Sequence, residues 1–194
     1  MPKMYIISGC NGSGKTTASY TLLPEMLECS QFVNSDEFAK SLSPFNPSEA
    51  SVSASRYMLQ KIYYLLENHL DFCVETTLAT RSLVKIIHEA HARGYEVTVL
   101  YFWLNSPDLA IRRVRDRVAS GGHHIPDPVI RRRYVMGLQY LFDTYIPVSD
   151  RWVLADNSKP PFTVVAEGSK QLLYIKDNEK YRIIWNIAHP NEES

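Results

Sequence analysis

A short apolar segment followed by a glycine-rich loop is the feature that most limits how this chain can fold. The segment Met4 to Ser8 contains Tyr-Ile-Ile and predicts a strand that is buried on both faces. The loop that follows reads Gly9-Cys10-Asn11-Gly12-Ser13-Gly14-Lys15-Thr16, and the spacing from Thr16 to about Leu27 predicts a helix. A buried strand, a glycine turn and a helix in this order indicate an α/β fold.

The loop also matches the phosphate-binding pattern G-x-x-x-x-G-K-[S/T]. Its glycines let backbone N–H groups face inward, where the helix dipole favours an anion. We expect Lys15 to reach the terminal phosphates of a nucleotide, most simply ATP, and Thr16 to bind Mg²⁺. The nucleotide-binding candidates are Asn11, Gly12, Ser13, Gly14, Lys15, Thr16 and Thr17. The alternative is a turn that binds nothing, but such a turn would not need lysine and threonine at these positions.

Many classes of nucleotide-binding protein carry this loop, so other motifs must separate them. The sequence contains neither the Leu-Ser-Gly-Gly-Gln signature nor the apolar strand ending in Asp-Glu that a transporter-type ATPase would need. It also lacks the Asn-Lys-x-Asp motif with which GTPases read guanine. Both classes are therefore disfavoured.

Strand-like and helix-like segments alternate along the chain, which predicts parallel strands covered by helices on both faces. The five predicted strands are Met4 to Ser8, Gln31 to Asn34, Phe72 to Thr76, Glu96 to Leu104 and Trp152 to Asp156. Three further segments predict a small C-terminal β appendage: Val164 to Ala166, Leu172 to Ile175 and Tyr181 to Ile184, the last two paired across Asp177-Asn178. We expect a single domain over residues 1–194, with its core in residues 1–158.

An acidic residue follows the second predicted strand. Asp36 lies in Asn34-Ser35-Asp36, where the next helix begins. The strand end would place its carboxylate in the phosphate crevice, where a kinase needs a base for the acceptor hydroxyl. The alternative is an acid that only stabilises the helix N-terminus. Sequence position alone does not separate these two interpretations.

The third predicted strand ends in Glu75-Thr76-Thr77. Glu75 is the only acid there, at a place where a carboxylate can orient Mg²⁺ or contact the substrate. Thr76 could hydrogen-bond the substrate. The alternative for Glu75 is a solvated strand end, since acids are common at strand termini.

Arginines are concentrated in one part of the chain. Seven of twelve lie between positions 112 and 133, namely Arg112, Arg113, Arg115, Arg117, Arg131, Arg132 and Arg133. They fall on two predicted helices that flank Gly121-Gly122-His123-His124, and we expect a lid that closes over polyphosphate. Arg113 and Arg117 share one helix face because they are four residues apart. The alternatives are a solvated basic face or an RNA-binding patch.

Composition limits the partners and the compartment. The 21 basic and 21 acidic residues cancel, so no global field draws the chain to nucleic acid or an anionic membrane. No apolar stretch is long enough to span a bilayer. The cysteines, Cys10, Cys29 and Cys73, have no zinc-site or disulfide-framework spacing. A cytoplasmic protein is expected.

Together these motifs resemble the zeta-toxin family of P-loop kinases, whose best-known members phosphorylate UDP-N-acetylglucosamine. The resemblance rests on the loop from Gly9 to Thr17, Asn34-Ser35-Asp36-Glu37-Phe38-Ala39, Glu75-Thr76-Thr77-Leu78, the segment from Arg117 to Arg133 with Gly-Gly-His-His-Ile-Pro inside it, and Asp156-Asn157-Ser158. It covers most of residues 1–158 and implies a nucleoside-kinase-like P-loop fold.

The resemblance also implies roles for individual residues. Asp36 would be the general base, and Lys15 would bind phosphate. Arg117 and one arginine of positions 131–133, for which we take Arg133, would clamp the transferring phosphoryl group. Asn157 would lie near the adenine. An antitoxin protein becomes a candidate partner.

The leading hypothesis is an ATP- and Mg²⁺-dependent kinase that phosphorylates a hydroxyl of a small molecule, with a nucleotide sugar among the candidates. A polynucleotide end kinase is a rival, but it would need a basic channel beyond the arginines that the sequence does not show. The non-enzymatic rival is a nucleotide-binding module whose ATP state controls a partner. The chemistry of Asp36 distinguishes these hypotheses.

Overall fold

A central strand buried on both faces organises the fold. The computed structural model describes residues 1–25, 29–43, 51–122 and 124–190. Strand β1 (Lys3–Ser8) places Ile6 in the apolar layer on one side of the sheet and Ile7 in the layer on the other side. Both side chains are fully buried. Full burial stabilises such a side chain by roughly 1.5–3 kcal/mol, and the predicted two-faced burial of this strand is confirmed.

Seven strands form one sheet in the described part of the chain, in the order β2-β3-β1-β4-β5-β6-β7. The parallel part consists of β2 (Phe32–Asn34), β3 (Phe72–Thr76), β1, β4 (Glu96–Trp103) and β5 (Arg151–Asp156). The antiparallel strands β6 (Thr163–Ser169) and β7 (Leu173–Ile175) extend the sheet beyond β5. The predicted α/β fold is confirmed, but the sheet has more strands than the five predicted.

Helices connect and cover these strands. They are α1 (Lys15–Glu25), α2 (Ser35–Leu42), α3 (Ser51–Glu67), α4 (Val84–Ala92), α5 (Pro107–Ala119), α6 (Asp127–Tyr140), α7 (Ile146–Val148) and α8 (Asn178–Ala188). A π-helical turn, Leu141–Tyr145, joins α6 to α7. The predicted end of the first helix at Leu27, and His123 between the arginine helices, lie outside the described residues.

The predicted strand Tyr181 to Ile184 is wrong, because this segment belongs to helix α8. The Asp177 side chain caps the helix by accepting a hydrogen bond from the Lys180 N–H at 3.0 Å. Ile184 and Ala188 lie one helical turn apart and are buried against the core. The β-branched and aromatic residues of this segment suggested a strand, but the cap and the helical spacing decide its structure.

None of the described helices is long and apolar enough to cross a membrane. The longest described helix, α3, is amphipathic, with Ile62, Leu65 and Leu66 buried on one side. This face packs into the core beside the sheet.

Candidate active site

The glycine-rich loop folds into a shape that requires glycine. Gly9, Gly12 and Gly14 have φ angles of +139°, +80° and +86°, which L side chains rarely adopt. A Cβ atom on Gly12 would lie 2.6 Å from the Ala110 carbonyl oxygen, and one on Gly14 would lie 2.5 Å from Asn157 Nδ2. The loop is thus packed tightly between helix α5 and the end of β5. This conformation fits the cradle that a nucleotide phosphate needs.

Lys15 opens helix α1 and is almost completely buried, with 7% of its surface exposed. Its ammonium group donates a hydrogen bond to the Cys10 carbonyl at 2.9 Å. Burial lowers the pKa of this amine, while the Glu75 carboxylate opposes the change. Lys15 is therefore a cation held inside the loop with few partners of its own, as expected for a group that pairs with phosphate.

Glu75, at the end of β3, lies beside the loop. The Thr16 hydroxyl donates to its carboxylate at 2.9 Å, and Asn34 Nδ2 donates to the same oxygen at 3.0 Å. Burial raises the pKa of Glu75, although Lys15 and the Thr16 hydrogen bond lower it in part. Thr16 and Glu75, both predicted from sequence as Mg²⁺ ligands, thus come together.

Asn34 was missed by the sequence reasoning as a site residue. Besides contacting Glu75, it caps helix α2 by accepting a hydrogen bond from the Asp36 N–H at 2.8 Å. An asparagine directly before an acidic first helical turn is the signal that could have identified it. By this double contact, Asn34 fixes the start of the helix that carries Asp36 relative to the Glu75 carboxylate.

Asp36 lies in the first turn of α2 and lines the same cavity as Lys15. It is close enough to Lys15 and to Arg133 to affect the pKa of each. Burial lowers the pKa of the Arg133 guanidinium, and the charge of Asp36 opposes this change. The carboxylate therefore lines the same cavity as the phosphate loop and Arg133.

Five of the seven clustered arginines fall into two groups. Arg113, Arg117 and Arg133 line the cavity, and Arg133 donates a hydrogen bond to Asn11 Oδ1 at 3.0 Å. Arg115 and Arg131 instead form ion pairs with Asp127 and Asp108, which connect helices α5 and α6 at the surface. Of the arginines at 131–133, Arg133 is the one that reaches the cavity.

The residues that follow β5 hold the phosphate loop by hydrogen bonds. Asn157 Nδ2 donates to the Ser13 carbonyl at 2.8 Å, and Arg113 donates to the Asn157 carbonyl at 3.0 Å and the Ser158 carbonyl at 2.9 Å. Asp156 accepts hydrogen bonds from Ser158 and pairs with Lys180 of α8 at 3.0 Å. Arg113 thus supports the loop at the end of β5 while also lining the cavity.

The cavity has a volume of about 880 Å³, which is sufficient for a nucleotide and a small second molecule. The predicted residues that line it are Asn11, Gly12, Gly14, Lys15, Thr16, Thr17, Asp36, Glu75, Thr76, Arg113, Arg117, Arg133 and Asn157. Ser13 was predicted with them, but its side chain is fully buried and its hydroxyl has no hydrogen-bond partner. Lining residues that the sequence reasoning did not single out include Ser55, Met58, Ser82, Leu83 and Val129.

The described residues hold no cluster of three or more His, Cys, Asp or Glu side chains that could bind a metal alone. Magnesium needs no such cluster in kinases, because it is bound by one or two protein oxygens together with substrate phosphates. The paired oxygens of Thr16 and Glu75 fit this requirement.

The sheet order, the glycine loop and the lysine at its end define the class of the protein, a P-loop nucleotide-binding protein. Comparison with known families makes the assignment specific. The model of the Zeta toxin family matches residues 1–141. This chain therefore belongs to the Zeta toxin family, which confirms the resemblance found in the sequence.

Individual proteins are also similar to this chain. An uncharacterized protein of Haemophilus influenzae is 31% identical over 133 residues, which cover 68% of this chain and 92% of that protein. The structure of the PezAT chromosomal toxin-antitoxin system of Streptococcus pneumoniae matches with a TM-score of 0.69 and 17% identity. It covers 100% of this chain and 80% of the matching chain.

A second solved structure, the AvrRxo1-ORF1:-ORF2 complex with ATP, matches with a TM-score of 0.75 and 18% identity over 100% of this chain. This chain spans only 65% of the length of its match in that complex. At such identities the likeness to both solved structures concerns the fold alone. The activity, substrate and partners of this chain must be argued from its own site.

Proposed function

We propose that this protein transfers the γ-phosphoryl group of ATP to a hydroxyl group of a small molecule, with magnesium as cofactor. The observation that carries the proposal is the position of Asp36, which lines one cavity together with Lys15 and Arg133. A base, a phosphate-binding cation and a second cation in one cavity are the groups that phosphoryl transfer needs.

Each group has a role in this proposal. Asp36 accepts the proton of the acceptor hydroxyl as its oxygen forms a bond to the γ-phosphorus. The bond from the γ-phosphorus to the β,γ-bridging oxygen breaks, and ADP leaves. Lys15, Arg117 and Arg133 stabilise the negative charge on the phosphoryl oxygens during transfer.

Thr16 and Glu75 are the residues proposed to hold Mg²⁺. When bound, the ion would neutralise charge on the β- and γ-phosphates. The two side chains already share a hydrogen bond at 2.9 Å, so their oxygens are adjacent. Asn34 keeps the Glu75 carboxylate in place by a second hydrogen bond.

The test is Asp36→Asn, which keeps the size of the side chain but removes its basicity. We expect ATP binding within about twofold of wild type and phosphoryl transfer reduced by roughly 10²- to 10⁴-fold, the usual contribution of a general base. Labelled ATP and a metabolite extract provide the transfer assay, and calorimetry measures ATP binding. Undiminished transfer to the acceptors of the wild type would show that Asp36 is not the base.

The partner that we propose by analogy is an antitoxin protein, because the PezAT relative is described as part of a toxin-antitoxin system. Such a protein would have to limit access to the cavity. Co-expression with a candidate antitoxin, followed by an ATP-binding measurement, tests this idea. An antitoxin should lower ATP affinity or block transfer.

We also propose a cytoplasmic location. The three cysteines are free and buried, so the fold does not use a disulfide. The proposed reaction consumes ATP, which is found in that compartment. Fractionation of cells that express the tagged chain is the corresponding measurement.

A further inference from the structure

Strand β7 lies at one edge of the sheet and carries an exposed apolar surface. It pairs with β6 on one side, and no strand in the described part of the chain pairs with its other side. Leu172, directly before the strand, and Leu173 and Tyr174 within it have 74%, 56% and 62% of their surfaces exposed. Three consecutive large apolar side chains at an open edge are a typical place for a further strand to pair.

The backbone of β7 also has hydrogen-bonding groups that point away from β6. The Lys176 N–H donates to the Val165 carbonyl of β6 at 2.8 Å. Every second residue of an antiparallel strand bonds to the same neighbour, so the backbone groups of Tyr174 also face β6. Those of Leu173 and Ile175 face the open side. Two N–H and two carbonyl groups with this spacing are complementary to the backbone of another extended strand.

The lysines beside β7 do not protect this edge. Monomeric proteins often place lysines on an edge strand, where their charges repel a second strand. Here Lys170 pairs with Asp150 at 2.8 Å, and Lys176 pairs with Glu167 at 2.9 Å. Both charges are thus compensated within the chain, and the edge presents its apolar side chains with little repulsion.

The sequence of β7 is complementary to itself in one antiparallel register. A two-fold axis through Tyr174 places Leu173 of one copy opposite Ile175 of the other, and the reverse. The open backbone groups of these two residues then form the hydrogen-bonded pairs of the ladder. The two Tyr174 rings lie opposite each other on the other face, as an aromatic cross-strand pair. The same register therefore satisfies the backbone and covers the apolar side chains.

Charges at the ends of β7 agree with this register. It brings Lys170 of one copy to the start of α8 in the other, where Asp177 and Glu179 are acidic. Lys176 lies opposite the apolar Leu172. Neither lysine is placed opposite another basic residue, so the two edges have complementary charges.

We propose that two copies of this chain associate through their β7 edges and form one continuous sheet. A standard interface buries about 800 Å² on each partner, whereas β7 has only three residues. The dimer should therefore be weak and form as the protein concentration rises. The residues of β7 do not line the nucleotide cavity, so this proposal stands apart from the proposed kinase function.

A cysteine on the two-fold axis tests the register. In Tyr174→Cys the two thiols face each other across a non-hydrogen-bonded pair, whose Cα atoms lie about 4.5 Å apart, within the range that a disulfide spans. The matched control is Leu172→Cys, whose copies would lie roughly 14 Å apart because four residues of strand separate them. The three native cysteines are buried. After oxidation with diamide, a non-reducing gel should show a linked dimer for Tyr174→Cys and little for Leu172→Cys.

Two results of the cross-linking experiment would overturn the proposal. The first is a Tyr174→Cys chain that remains unlinked. The second is equal linking of Tyr174→Cys and Leu172→Cys, since exposed thiols that meet by collision need no register.

Sedimentation of the unmodified chain tests the dimer itself. The wild-type mass should rise towards that of two chains with increasing concentration, while Leu173→Pro should remain a monomer. Proline removes an N–H that faces the open side, and it is tolerated on edge strands. Leu173→Ala keeps this N–H and should dimerise more weakly than wild type, and circular dichroism checks that both variants fold. A wild-type chain that stays monomeric throughout would overturn the dimer, as expected if β7 pairs instead with an extended segment of a different protein.

Discussion

Lys15 combines a proposed role in phosphate binding with a cost to stability. Its ammonium group is almost fully buried and bonds to the Cys10 carbonyl. Burial lowers its pKa, which means that the folded protein holds the charged form less favourably than water does. A residue placed in this way contributes little to folding unless phosphate is bound.

Lys15→Ala should therefore abolish ATP binding and leave the fold intact. The lost cation removes the charge that pairs with the β- and γ-phosphates, whereas the fold loses a side chain whose charge was costly to bury. Calorimetry with a non-hydrolysable ATP analogue and circular dichroism measure the two effects. ATP affinity equal to that of wild type would refute the assignment of the phosphate loop.

Glu75 provides a prediction about pH. Its pKa is raised by burial above the ordinary value of 4.5, so the folded state keeps a proton that the unfolded state loses. The free energy of unfolding should accordingly fall as pH rises from about 4.5 to the pKa in the folded state. Glu75→Gln cannot ionise and should show less of this decline. Urea denaturation of both proteins across this pH range measures the difference.

One outcome of this measurement would contradict the prediction for Glu75. If the variant and the wild type have parallel stability profiles, the Glu75 carboxylate is not held at a raised pKa. Thr16 and Asn34 can still donate to the amide oxygen of the variant, so the comparison isolates the charge.

At this scale the residues singled out from the sequence line one cavity. The loop, Asp36 and Glu75 follow from their positions after strands, because parallel strands bring their carboxyl ends together, whereas Arg133 was chosen from the family resemblance. The contacts of Asn34 with Glu75 and of Glu37 with Tyr20 could not be predicted, since these partners are distant in sequence, and only the helix cap of Asn34 leaves a local signal.

Secondary structure elements were predicted best where one pattern dominates. The start of α5 follows one simple local pattern, since Ser106 accepts a hydrogen bond from the Leu109 N–H at 3.2 Å and Pro107 opens the helix. The segment from Tyr181 to Ile184 carried two conflicting patterns. Its residue types favour a strand, whereas helix α8 forms because Asp177 caps it and aromatic partners cover it.

One aromatic partner, Phe142, comes from the π-helical turn between α6 and α7, and another, His189, directly follows α8. Phe142 lies 5.0 Å from the Trp185 ring, and His189 lies 4.1 Å from the same ring. His189 also contacts Asp143 at 2.8 Å. A contact of this kind, between segments about 40 residues apart, is not visible in a local sequence pattern.

The cap of α8 can be tested directly. Asp177→Ala should lower the free energy of unfolding by about 1 kcal/mol, because the Lys180 N–H loses its acceptor. Asp177→Asn is the matched control, since asparagine caps helices about as well. Chemical denaturation measures both variants. Equal losses in the two variants would mean that the charge of Asp177, which lies 3.6 Å from Lys180, matters more than the cap.

At the scale of the whole molecule, residues 159–194 belong to the main sheet and core, whereas a small separate appendage was predicted. Strand β6 pairs with β5 along its length, and Val165 and Ala166 are fully buried. Lys180 of α8 forms an ion pair with Asp156, next to the Asn157 side chain that bonds to the phosphate loop. Strand β6 and helix α8 are therefore linked through the end of β5 to the phosphate loop.

Removal of residues 159–194 should therefore also destabilise the remaining residues 1–158. The truncated chain loses the strand that covers β5 and the buried residues Ile184 and Ala188. We expect loss of cooperative unfolding and weaker ATP binding than in the full chain. Thermal denaturation and calorimetry are the measurements, with a chain that ends at Pro190 as control. A stable, ATP-binding truncated protein would show that residues 1–158 fold independently.

The buried thiols have a practical consequence. Burial raises the pKa of all three cysteines, that of Cys10 to about 11, so few are present as reactive thiolates at neutral pH. A cysteine introduced at the exposed position Arg132 would then be the preferred target of a maleimide dye. The Arg132→Cys variant can thus carry a fluorescent reporter on helix α6 without prior removal of the chain's own thiols, so that any movement of this helix on ATP binding would be seen in real time.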